Sequence, residues 1–113
     1  MWTLHALRAL EENVLIHGLR DADAEVRVNA LTMAGRELRL HQSEPLLNEM
    51  LQRIDDSDLR VRYHLALALS NQSRLPKIEQ ALQQLMKNNT DEPIRRTAEA
   101  GLRRLRKDAE AQK

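Results

Sequence analysis

Three stretches of this chain repeat one pattern: Asp21-Ala-Asp-Ala-Glu-Val-Arg-Val-Asn-Ala30, Asp56-Ser-Asp-Leu-Arg-Val-Arg-Tyr-His-Leu65 and Thr90-Asp-Glu-Pro-Ile-Arg-Arg-Thr-Ala98. They align on Val26-Arg27, Val61-Arg62 and Ile94-Arg95, which recur after 35 and then 33 residues. Asp23, Asp58 and Asp91 each stand three positions before the aliphatic residue, and Ala30, Leu65 and Ala98 stand four after it. The Asp is an N-cap: its carboxylate accepts from amides that no helical carbonyl reaches, and its charge suits the positive helix end. The aliphatic residue and the one four later share a helix face. That face runs on through Met33/Ala34, Ala68/Leu69 and Gly101/Leu102, so each stretch opens an amphipathic helix.

An apolar-periodic stretch precedes each match: Val14 to Leu19, then Leu46, Leu47, Met50, Leu51 and Ile54, then Ile78, Leu82, Leu85 and Met86. Ser43-Glu44-Pro45 and Leu75-Pro76 read as helix starts, because proline fits the first turn. The unit is therefore helix, tight Asp-containing turn, helix, loop, and a period in this range marks a repeat array. The pattern predicts helices over 2–11, 13–20, 23–37, 44–55, 58–71, 76–88 and 91–107, with loops near 38–44 and 70–75. Trp2 to Leu10 aligns with Val61 to Leu69 and reads as the second helix of a partial N-terminal unit, so the chain is expected to be a piece of a longer array. Residues 1–107 form the repeat domain, and the polar tail 108–113 is expected to fray.

Composition agrees. The 113 residues suffice for one domain, and 42% are hydrophobic, mostly Leu and Ala, while aromatics are 2% (Trp2 and Tyr63). Helix formers abound and strand-favouring aromatics are nearly absent. Three Gly and three Pro leave little material for hairpin turns. Eighteen basic and 17 acidic residues give a net charge of +1, so no strong global field points to nucleic acid or membrane. Without Cys there is no disulfide, thiolate metal site or Cys nucleophile. No apolar run approaches the roughly 20 residues of a membrane-spanning helix, and no signal peptide is visible at the N-terminus.

A 33–35-residue period with Asp-x-x-Val-Arg at the start of the second helix resembles HEAT repeats, in particular the short bacterial PBS-lyase HEAT-like type. The resemblance covers nearly the whole chain. It implies an all-α, right-handed α-α superhelix of about three repeats plus the partial one. It also implies a non-catalytic scaffold that binds protein partners on a concave face lined by second helices. Leu4 to Leu10 followed by Asp21 to Arg27 is further similar to HEAT segments of large bacterial proteins that join a dehydrogenase-like propeller to a c-type cytochrome domain. That likeness implies a periplasmic or cell-surface parent, with the cytoplasm as the compartment otherwise. The chain has no Cys-x-x-Cys-His, so haem attachment would fall outside it, and no cofactor is expected within it.

Residues three, six and ten positions after the aligned aliphatic residue should face the concave side. They are His5 and Arg8, then Asn29, Thr32 and Arg36, then His64, Leu67 and Asn71, then Thr97, Ala100 and Arg104. This polar, mildly basic row suits an acidic peptide or a neighbouring domain of the same parent chain. A nucleic-acid-binding array is the first alternative, weakened by the near-neutral charge. A tetrapyrrole lyase or chaperone accessory is the second, and no apolar pocket in the sequence speaks for it. Chemistry is not expected elsewhere. Asp23, Asp58 and Asp91 fall one per repeat, too far apart to converge. Arg27, Arg62 and Arg95 should pair with capping or neighbouring Asp residues. His5, His17, His41 and His64 lack the i,i+4 spacing of a zinc helix, and Ser43, Ser57, Ser70 and Ser73 sit where capping explains them. Val26, Leu51, Leu65, Leu69, Leu82 and Leu102 should form the core between repeats. Tyr63 is read as exposed, Trp2 as packed on Ile16 or stranded, and weak self-association is expected through open repeat ends.

Overall fold

The computed structural model describes residues 4–72 and 75–111, apart from the side chains of Leu4, His5, Arg8 and residues 108–111. Six helices and no strand occur among the described residues: α1 Leu4–Leu19, α2 Ala24–His41, α3 Glu44–Leu51, α4 Leu59–Ser70, α5 Pro76–Asn88 and α6 Glu92–Ala111. The second helices α2, α4 and α6 pack side by side in that order. On the other layer, α1 packs on α2 and α3, and α5 on α6. The result is a slab of 46 × 39 × 15 Å, two helices deep, in which one continuous core runs from Leu15 to Leu105.

The repeat aspartates do what their position implies. Asp23 accepts from the Glu25 amide at 2.9 Å, and Asp58 from the Arg60 amide at 2.8 Å. Asp91 accepts from the Ile94 amide at 3.4 Å. Two residues upstream, Asp21 and Asp56 accept from the amides of Asp23 and Asp58, which closes the turn before each cap. Ser43 caps α3, donates to Glu12 of α1, and is followed by Pro45 in the first turn.

Several boundaries move. The segments 2–11 and 13–20 are not separate helices: α1 runs unbroken through Glu11-Glu12-Asn13 and pairs with α2 as the first helix of the first unit. No Gly or Pro interrupts it there, and Leu15 and Leu19 bury its far end. α2 extends past residue 37 to His41 because Leu38 is buried, and it ends only at Gln42, whose φ of 51° closes the helix with a bond to the Leu38 carbonyl. α3 stops at Leu51, where Gln52, Arg53 and Ile54 tighten to i→i−3 bonds. Trp2 and Ser73 lie outside the described residues.

Leu65, Leu69, Leu82 and Leu102 are buried as expected, and Leu51 is half-buried. Val26 is not: it is 38% exposed, although its counterparts Val61 and Ile94 are fully buried. Those two are covered by the preceding unit's helices, and α2 has no described helix on that side. Tyr63 is half-buried against the core and lies edge-on to His64, with ring centres 5.6 Å apart.

The second helices approach closely because small residues meet at their crossings. A Cβ at Gly35 would lie 3.0 Å from the Ala68 Cβ, and one at Gly101 would lie 2.3 Å from the Ser70 Oγ. Gln72, the buried polar residue at the same seam, spans two of these helices by donating to the Gly35 and Ala68 carbonyls at 2.8 and 3.0 Å.

Candidate functional site

The face of second helices carries a groove of about 330 Å³ between α2 and α4. Thr32, Gly35, Arg36 and Arg39 line one wall, and His64, Leu67, Ala68 and Asn71 the other. The floor is formed where Gly35 and Ala68 touch, so the close crossing of the helices sets the depth of the groove. Above it, Arg36 and Arg39 are exposed and make no hydrogen bond or ion pair among the described residues. Asn71 is exposed, and its side-chain amide donates back to the Leu67 carbonyl, leaving its oxygen as an acceptor. The Thr32 hydroxyl donates to the Val28 carbonyl at 3.2 Å. Two guanidinium groups, an imidazole, a hydroxyl and an amide around an apolar Leu67 suit a carboxylate-bearing chain with an aliphatic anchor.

Of the expected row, the fold brings Thr32, Arg36, His64, Leu67 and Asn71 into this groove. Asn29 is exposed one turn earlier on α2, and Thr97 and Ala100 stand on α6 outside it. Arg104 has a different task. Its guanidinium donates to the Ser70 carbonyl at 2.9 and 2.6 Å and to the Gln72 carbonyl at 2.6 Å, closing the C-terminal end of α4. The side chains of His5 and Arg8 lie outside the described residues, and their backbone belongs to α1, the first helix of its pair, rather than to the row of second helices. Besides Gly35 and Ala68 on the floor, Arg39 is the groove residue that the register missed. Its distance of 13 residues from Val26 lies beyond the last offset used, although three residues after Arg36 places it on the same face.

The repeat arginines turn inward to the array. Arg27 forks onto Asp56 of the next unit, with Nε–Oδ2 at 2.9 Å and Nη2–Oδ1 at 3.0 Å, and its Nη1 donates to the Asp21 and Ala22 carbonyls. One repeat on, Arg62 donates to the Asn89 side chain at 2.8 Å and to the Asp56 carbonyl. Asp56 and Asn89 occupy equivalent positions, so the same forward bond is made twice. Arg95, last in the series, is exposed and has no such partner among the described residues. These side chains join turns; they do not form an open ladder for phosphates. No group of three His, Cys, Asp or Glu side chains suited to a metal comes together among the described residues, and no described helix is long and apolar enough to cross a membrane.

Stacked helix pairs with a Val-Arg turn repeated along the chain define an α-solenoid of short helical repeats. The family profile for HEAT repeats matches residues 12–103, and the chain belongs to that family. No curated protein and no solved structure matches it. HEAT repeats generally act as protein-interaction scaffolds and are typically non-catalytic.

Proposed function

We propose that this chain is a non-catalytic scaffold whose second-helix face holds an acidic, aliphatic-containing segment of another protein or of a neighbouring domain. The observation that carries this reading is the pair of uncommitted guanidinium groups, Arg36 and Arg39, at the mouth of the α2/α4 groove. Other arginines of the array, Arg27, Arg62 and Arg104, are committed to turns and helix ends. An arginine left without a carboxylate beside a half-buried leucine is a favourable place for one to arrive from outside.

The test is an amide-resolved NMR titration with a synthetic peptide of alternating Glu and Leu. Shifts concentrated at Thr32, Arg36, Arg39, His64 and Asn71, and lost in an Arg36→Glu/Arg39→Glu variant, support the reading. Shifts spread over both faces, or an unchanged affinity in the double variant, would remove it. Mixed-sequence duplex DNA serves as the competing probe: binding that is steeply salt-dependent and tighter than the peptide's would favour the nucleic-acid alternative.

A further inference from the structure

Arg36 and Arg39 are placed on α2 where no acid of the chain meets them. On α6 the exposed Arg96 and Arg103 each have a carboxylate four residues earlier, Glu92 at 3.0 Å and Glu99 at 2.9 Å. Arg36 instead has Thr32 and Leu40 four residues away and Met33 and Arg39 three away. Arg39 has Gly35 and Ser43 at four, and Arg36 and Gln42 at three. None of these is acidic, and the two arginines are each other's neighbours. Like charges at this spacing weaken a helix slightly. Glu37, between them in sequence, lies 3.5 Å from His41 instead. The described residues that line the α2/α4 groove include no Asp or Glu.

The donors of the groove exceed what one carboxylate can use. Each guanidinium offers a fork of N–H groups, and the His64 ring adds a further one. A carboxylate has one charge and two oxygens. It fills one fork and leaves the second guanidinium facing nothing. A phosphate ester carries about −1.5 to −2 charges at neutral pH and three acceptor oxygens. It can take a bond from both forks at once and balances both charges.

We propose that the acidic group received here is a phosphorylated serine or threonine of the partner segment, clasped by Arg36 and Arg39 together, with an aliphatic neighbour seated on Leu67. This inference rests on the reading of the groove as a peptide site and specifies its ligand. A polynucleotide carries a phosphate at every nucleotide and needs cations that recur along its track. The row on this face does not supply them. Asn29, Thr97 and Ala100 are uncharged, and Arg104 donates to the Ser70 and Gln72 carbonyls. A single cation pair beside the half-buried Leu67 matches a single phosphate beside a single aliphatic side chain.

Calorimetric titration of the whole chain with four Leu-containing peptides tests this. They are identical except at one central site, which holds phosphoserine, Ser, Glu or Glu-Glu. The phosphoserine peptide should bind at least about tenfold tighter than the Glu and Glu-Glu peptides. Arg36→Ala and Arg39→Ala should each bring the phosphoserine and Glu peptides to similar affinity, because one remaining guanidinium serves either acid. Arg36→Lys keeps the charge but loses the fork, and should also lose most of the preference. Both arginines are exposed, so helical circular dichroism should be unchanged in every variant. Glu or Glu-Glu binding as tight as phosphoserine overturns the proposal and leaves the peptide-groove reading standing. A phosphoserine preference that survives both Ala variants overturns it as well, because the phosphate then sits elsewhere. No binding of any acidic peptide removes the proposal and the groove reading together. Duplex DNA binding tighter than the phosphoserine peptide, with a steep salt dependence, also overturns it.

Discussion

The guanidinium of Arg27 and the carboxylate of Asp56, 29 residues apart in sequence, form a bidentate pair in which only 11% and 7% of the side chains remain exposed. Asp56 also closes the turn before α4, so one carboxylate serves its own turn and the arginine of the preceding unit. Breaking such a pair leaves a charge with little water and one partner fewer. Arg27→Ala should cost about 3 kcal/mol, in the range for a buried pair that loses one member. Arg95→Ala, at the equivalent position with no forward partner among the described residues, should stay within about 0.5 kcal/mol. Urea unfolding of both variants measures the contrast, and equal losses would mean that the forward bond contributes nothing.

Gly101→Ala would normally help a helix by nearly 1 kcal/mol. Here the new Cβ would stand 2.8 Å from the Ser70 Cβ and 3.1 Å from its Cα, so α4 and α6 must separate. A net loss of about 1–3 kcal/mol is expected in thermal or urea melts. Stabilisation would show that the crossing is looser than its geometry.

Leu65→Ala removes a fully buried side chain between units and should cost about 2–5 kcal/mol. Val26→Ala, at an aligned aliphatic position but exposed, should cost under about 1 kcal/mol when measured at low protein concentration. A large loss at Val26 would place a covering helix over it.

Two carboxyl groups link stability to acid. Glu49 is held below the ordinary carboxylate value chiefly by the hydrogen bond from Arg20, against a smaller opposing effect of burial. Asp58 is held low first by the Arg60 side chain and then by the Arg60 amide that it caps. A lowered folded-state value means that the stabilisation is complete above the unfolded value near ~4 and is lost as pH falls through the folded value. Stability should therefore decline below about pH 4. A Glu49→Gln/Asp58→Asn variant should be less stable at neutral pH and show a shallower acid decline in urea midpoints taken across the range. An identical slope in both proteins would assign the acid transition to other groups.

The helices were legible wherever the information is local. Pro76 and the buried face of Ile78, Leu82 and Leu85 mark α5 from start to end. Asp23, Asp58 and Asp91 announce their helices because a cap is made within two or three residues of itself. The groove was legible in part, since Thr32, Arg36, His64, Leu67 and Asn71 follow from helical register once the second helices are known to align. Arg104 was misplaced for the opposite reason. Register assigns it to the open face, but the free carbonyls at the end of α4, 32 to 34 residues away, draw its guanidinium in.

The 33–35-residue period, the capped turns and the amphipathic helices are written in the chain, because each depends on neighbours a few residues away and on the helical turn of 3.6 residues. Identical motif positions have different fates according to what the assembled array sets beside them. Val61 is buried and Val26 exposed, Arg62 reaches a forward partner and Arg95 has none among the described residues, and Ala68 meets Gly35 where Met33 meets no described helix. Burial and pairing belong to surfaces brought together across a full repeat, and a motif read along one helix carries no record of whether a neighbouring unit covers it.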